Sequence, residues 1–102
     1  MRRRSHQTKL VFQSFLDAPS DETYGYELSK ATGLASGVVY PILRRLEDEG
    51  LIESRWEEIT GTDSTPRRRR FYKLTGEGRR VARTETADET TALRLLSPGW
   101  SL

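Results

Sequence analysis

The sequence predicts a mainly α chain of the α+β class, in which two helices joined by a tight turn precede a two-stranded β-hairpin and a last helix. Three observations carry this reading. The stretch 36–50, SGVVYPILRRLEDEG, places Val39, Ile42, Leu43 and Leu46 at helical spacing, so they form one apolar stripe. A shorter helical stretch ends at Gly33, leaving only Leu34 and Ala35 before Ser36. After Gly50, two strand-like stretches flank the turn-rich loop TGTDSTP at 60–66.

In chain order, the first helix is expected over 5–17, with Val11, Phe12, Phe15 and Leu16 on one arc and Leu10 at its flank. Pro19 breaks it, because proline disfavours helical geometry at the residue before it. Thr23 and Tyr24 read as a very short strand. A second helix follows over 25–32, with Leu28 and Ala31 inward and Gly33 as a left-handed C-cap. In the third helix Ser36 is the expected N-cap and Gly50 the stop, while Pro41 predicts a slight kink.

Residues 51–59 then alternate, with Ile52 and Trp56 on one face and Glu53, Arg55 and Glu57 on the other, as a half-buried strand does. Residues 68–74 supply the second strand, whose Tyr72 and Leu74 would face Ile52 and Trp56. Thr75 caps the last helix, with Glu77 favourably placed in its first turn. That helix has Val81, Ala82, Ala92, Leu93, Leu95 and Leu96 as apolar content, but its middle, TETADETT, is rich in threonine. Neither apolar seam is clean: Asp88 falls between Val81 and Leu95, and Glu89 between Ala82 and Leu96. Pro98 and Gly99 end it, and Trp100 and Leu102 make an apolar tail. A helix-turn-helix followed by a β-hairpin is a winged helix-turn-helix, here with a two-stranded β-wing and a C-terminal helix. The expected division is 1–75 for that unit and 76–102 for the C-terminal helix and tail.

Composition narrows the function. A chain of 102 residues makes one small domain with an appended element, and at this size self-association is a natural source of further burial. There is no cysteine, which excludes disulfides and thiolate metal sites, and the single His6 cannot build a zinc site. No carboxylate pair, serine–histidine arrangement or phosphate-binding glycine loop stands at informative spacing. No enzyme, cofactor or metal is therefore expected. No apolar run approaches the ~18 residues that a membrane span needs, and a cytoplasmic product is the expectation.

The net charge of +2 hides an uneven distribution. Arginines cluster at 2–4, 44–45, 67–70 and at 79, 80 and 83, whereas acids collect at 47–49, 57–58 and 85–89. Such separation builds a positive face suited to a polyanion. In a helix-turn-helix the second helix is the usual reader of the major groove. The expected DNA-binding residues are accordingly Ser36, Gly37 and Val38 at its start, Tyr40, Arg44 and Arg45 further along, and Arg67, Arg68 and Arg69 on the wing. Small residues let the helix start approach phosphates and base edges. Tyr40 either donates its hydroxyl to a phosphate or packs its ring on the wing, and Arg45 either contacts DNA or pairs with Glu49. Arg70 is the inward-leaning exception of its run, and residues 2–4 add nonspecific phosphate contacts or stay free. Trp56, Tyr72, Phe12 and Phe15 are expected in the core. The alternative is a winged-helix protein-interaction module without specific DNA binding, using the acids at 47–49 and 57–58 as its contact face.

At YGYELSKATGL, VVYPILRRLEDEGLI, SRW and PRRRRFYKLTGEG, over 24–78, the chain resembles the PadR-like transcriptional regulators. The resemblance implies a homodimeric winged-helix regulator, a repressor in the main, that pairs through its C-terminal helix. It also implies an aromatic small-molecule effector near that interface, where Trp100 would be the available tryptophan.

Overall fold

The computed structural model describes residues 4–59 and 67–96, and the side chains of residues 59, 67 and 88–96 lie outside that description. Helix α1 spans His6–Asp17 and is capped by Ser5, whose hydroxyl oxygen accepts the Thr8 N–H at 3.1 Å. A 3-10 turn at Pro19–Asp21 leads into β1, Glu22–Tyr24. Helix α2 spans Gly25–Thr32 and ends on Gly33 in the left-handed region, as its sequence predicts. Helix α3 spans Ser36–Asp48, strand β2 Ile52–Ile59, strand β3 Arg67–Leu74 and helix α4 Gly76–Leu96.

The three strands form one antiparallel sheet in the order β1-β3-β2. The sequence signalled the short strand but not its place: Thr23 pairs with Tyr72 and Tyr24 with Phe71, so β3 becomes the central strand. In the hairpin, Ile52 faces Leu74, Ser54 faces Tyr72, Trp56 faces Arg70 and Glu58 faces Arg68.

One core joins the elements. Val11, Phe12 and Phe15 from α1 meet Leu28 from α2, the Val39, Ile42, Leu43 and Leu46 stripe of α3, and Leu51, Ile52, Tyr72 and Leu74 from the sheet. Helix α4 lies on α1 and adds Ala82. At roughly 25 cal/mol per Å² of apolar surface, each fully buried Phe or Leu in this cluster contributes about 2 kcal/mol.

The end of α3 is a Schellman stop. Gly50, at φ 75°, donates to the Glu47 carbonyl at 3.0 Å, and Leu51 donates to the Leu46 carbonyl at 2.9 Å. The chain then passes under the start of α4. The Thr75 hydroxyl donates to the Gly50 carbonyl at 2.8 Å and accepts the Gly78 N–H at 3.0 Å, while the Thr75 N–H donates to the Leu51 carbonyl at 3.0 Å. Thr75 is thus the expected cap, and it also ties α4 to the end of α3. Gly78 is required here by space, since a Cβ at that position would stand 1.7 Å from the Leu51 carbonyl oxygen.

Three details differ from the sequence expectation. The α3 N-cap is Ala35, with extended backbone angles, and its carbonyl accepts the Val38 and Val39 N–H groups; Ser36 is the first helical residue and makes no capping hydrogen bond. Ala31 is exposed, because only the Leu28 side of α2 meets the core. Trp56 is 53% exposed although it lies on the Ile52 face, because that face has left the helical body by residue 56. Phe71, on the opposite face of the hairpin, is buried instead, packed edge-on against Tyr24 at 5.4 Å. The loop at 60–66, Arg2 and Arg3, the seam residues Asp88, Glu89, Leu95 and Leu96, and the tail from Pro98 through Trp100 lie outside the described residues or side chains.

Candidate nucleic-acid interface

The apolar stripe of α3 fixes which side of the helix faces outward. Ser36, Gly37, Tyr40, Arg44 and Arg45 are exposed, while Val38 is half-buried and packs at the edge of the core. The helix runs unbroken through Pro41. Proline has no N–H, so the Gly37 carbonyl four residues earlier lacks its helical donor and remains an acceptor on the exposed side. Tyr40 is 46% exposed, and its ring lies on Gly25 at the start of α2. A Cβ at residue 25 would meet the Tyr40 hydroxyl at 2.5 Å, which gives a packing reason for glycine in YGYEL.

The arginines divide into two sets. Arg4, Arg70, Arg79 and Arg80 are tied to carboxylates: Arg4 to Glu49, Arg70 to Glu47, Arg79 to Asp21, and Arg80 to Glu77. Arg4 is the clearest departure from its sequence reading. Its two terminal nitrogens donate to the two Glu49 carboxylate oxygens at 3.0 Å each, and its guanidinium stands 5.7 Å from the Phe12 ring centroid. The bidentate bond to Glu49 raises the Arg4 pKa above its already high ordinary value. Glu49 is therefore engaged by the N-terminal segment, and not by Arg45 four residues before it. Arg70 leans inward, as its sequence position suggests. It donates to the Ser54 hydroxyl at 2.8 and 3.1 Å and reaches Glu47 at 3.4 Å, and Ser54 in turn donates to Glu47 at 2.5 Å.

The second set is Arg44, Arg45, Arg55, Arg68, Arg69 and Arg83. All six are exposed, and among the described residues none pairs with a carboxylate. Arg68 lies over the Trp56 ring at 5.1 Å, and Arg69 over the Tyr24 ring at 3.8 Å. The Arg67 side chain is outside the described set. Tyr24 is fixed by its own hydroxyl, which donates to Glu57 at 3.0 Å; burial first, and this bond second, raise its pKa. Tyr26 and Lys30, which the sequence reading did not single out for DNA, form an exposed pair on α2, with the ammonium 5.4 Å from the ring centroid and Tyr26 68% exposed.

Chemically, this is a set of guanidinium donors and tyrosine hydroxyls on one small scaffold. Among the described residues no group of His, Cys, Asp or Glu side chains is placed to hold a metal ion, and no helix is long and apolar enough to cross a membrane.

Comparison with known proteins gives this arrangement its context. No curated protein matches the chain. Among solved structures, a PadR family transcriptional regulator from Eggerthella lenta DSM 2243 is 32% identical, with 87% of this chain and 76% of that chain covered at a TM-score of 0.61. A PadR family transcription regulator from Clostridium difficile R20291 shares the fold at 24% identity and a TM-score of 0.69, covering 90% of this chain and 95% of that one. A Streptococcus mutans UA159 protein shares it at 23% identity and a TM-score of 0.70, with 91% and 87% covered. The model of the transcriptional regulator PadR-like family matches residues 16–84, which takes in the end of α1, both helices around the turn, the wing and the start of α4. With the matched span covering more than half of the sequence, the chain belongs to the PadR-like family of transcriptional regulators, and is a regulator rather than an enzyme.

Proposed function

We propose that this DNA-binding regulator reads a specific duplex sequence as a homodimer and represses transcription from it. The first half of α3 enters the major groove, with Ser36, Gly37 and Val38 nearest the base edges and Tyr40, Arg44 and Arg45 beside them. The wing at about 60–70 carries Arg67, Arg68 and Arg69 to the backbone or minor groove. Helix α4 supplies the dimer contact.

One observation carries the reading. On α3 and the wing, Arg44, Arg45, Arg55, Arg68 and Arg69 have no carboxylate partner among the described residues, whereas Arg70 of the same wing strand, and Arg4, Arg79 and Arg80 elsewhere on the chain, are neutralised within the fold. A protein that keeps cations free on the two elements that reach DNA in a winged helix is arranged for phosphate and base contacts. The competing reading, a protein-interaction module with the acids as contact face, loses support. Glu47, Glu49 and Glu57 are engaged by Arg70 and Ser54, by Arg4, and by Tyr24 respectively.

Selection of bound duplexes from a random pool tests the proposal. A palindromic consensus supports both the sequence readout and the two-fold pairing. Recovery of no consensus, with binding unchanged by Arg44→Glu combined with Arg68→Glu and Arg69→Glu in a folded variant, would sink the groove-helix model.

A further inference from the structure

We propose that Trp56 is a positioning residue for DNA binding: its exposed indole holds the flat face of the Arg68 guanidinium and leaves the N–H edge free for a phosphate oxygen. The inference rests on the DNA reading above and goes beyond it by assigning a role to a residue outside the contact set.

Three observations support it. Trp56 is a large aromatic that is 53% exposed on a hairpin, in a protein whose other large apolar side chains are mostly in the core. Such exposure calls for a reason beyond folding. Second, two guanidinium groups lie against the ring, Arg68 at 5.1 Å and Arg70 at 5.5 Å from its centroid. Both are within the ~6 Å over which a cation is attracted to an indole face. They are not equivalent. Arg70 is fixed from behind by Ser54 and Glu47, so it acts as a wall, whereas Arg68 has no hydrogen-bonding partner among the described residues.

Third, the ladder offers Arg68 a carboxylate that it does not take. Glu58 is its direct cross-strand partner, and an opposite-charge pair there would be ordinary. The guanidinium instead lies on the diagonal neighbour, Trp56. The difference matters for function. A carboxylate engages the N–H donors, whereas a ring engages the guanidinium face, and all five donors lie in the plane. Stacking therefore immobilises a long side chain without occupying the groups that bind phosphate. The ordering that a phosphate would otherwise impose is largely in place beforehand. Arg69 on Tyr24, at 3.8 Å on the other side of the hairpin, repeats the device with a ring that its bond to Glu57 holds still.

The test has one arm without DNA and one with it. In the free protein, Arg68 side-chain protons are expected to show an upfield ring-current shift in NMR spectra that disappears in Trp56→Leu and persists in Trp56→Phe. On a mixed-sequence duplex, Trp56→Leu is expected to weaken binding about two- to fivefold, Trp56→Phe to restore most of the loss, and Trp56→Leu to have no further effect in an Arg68→Ala background. An absent ring-current shift, or a Trp56→Leu loss that is the same with and without Arg68, would overturn the proposal while leaving the DNA reading intact. Failure of the wild-type protein to bind any duplex, with the ring-current shift present, would instead bring down the DNA reading and this inference with it.

Discussion

The Tyr40 ring rests on the backbone of Gly25, so that an aromatic side chain of α3 is set against the first residue of α2. Because the atoms that a Cβ would meet are the far end of a half-exposed side chain, Gly25→Ala is expected to swing Tyr40 away rather than unfold the protein. The expected loss is about 1 kcal/mol in denaturant unfolding. Duplex affinity should fall to the level of Tyr40→Ala, and the two changes combined should do no more than either alone.

Gly78→Ala is a different matter. The atom in the way is the Leu51 carbonyl oxygen at 1.7 Å, in a backbone segment also held by Thr75. Neither side can yield without separating α4 from the start of the wing. A loss of about 3 kcal/mol or more is expected, read as a fall in the denaturant midpoint. A near-neutral Gly78→Ala would contradict the packing of α4 described above.

Arg4→Ala is expected to cost about 1 kcal/mol of stability, because the pair with Glu49 is partly exposed and the contact with Phe12 adds a little. Its effect on duplex affinity should be negligible, since the guanidinium already has a carboxylate. A steep drop in affinity would show that Arg4 leaves Glu49 for a phosphate.

Tyr24 and Tyr72 both ionise above the ordinary tyrosine pKa, chiefly because burial disfavours the phenolate, with Arg69 and Arg70 respectively acting in the opposite direction. A raised folded-state pKa means that the fold favours the protonated form. This contribution is fully present below about pH 10, the unfolded value, and is lost as pH rises through the folded one. Unfolding free energy should therefore decline as pH rises above about 10, and less steeply in Tyr24→Phe and Tyr72→Phe.

For α3, salt titration separates two kinds of contact. If Arg44 or Arg45 meets a phosphate, its change to alanine should flatten the slope of log affinity against log salt by about 0.9. A residue that reads a base should leave the slope nearly unchanged and broaden the selected sequence at one position.

Local signals made much of the fold legible. Gly33 and Gly50 mark helix ends because a left-handed residue there is a backbone requirement, and the α3 stripe is a pure periodicity. What depends on tertiary placement was not legible. Alternation put Trp56 with Ile52 correctly on one face, but cannot say where a hairpin leaves the body that would bury it. The pairing of β1 with β3, the Arg4–Glu49 bond across forty-five residues, and the contact of Gly78 with Leu51 have no short-range signature. For the site, the arginine clusters were visible as charge. Their division into neutralised and free members was not, because it depends on which carboxylate folds back on which guanidinium.

The Thr75 hydroxyl, bonded to Gly50 on one side and Gly78 on the other, sets an angle as well as a stability. Helix α4 has 21 residues, so it is roughly 31 Å long. A tilt of roughly 10° at its base would carry its far end through roughly 5 Å, given that length. In the proposed dimer that displacement would be passed on to the spacing of two reading helices, which must match a DNA repeat of about 34 Å. A single threonine, remote from any base, would then act as the set-screw of operator spacing.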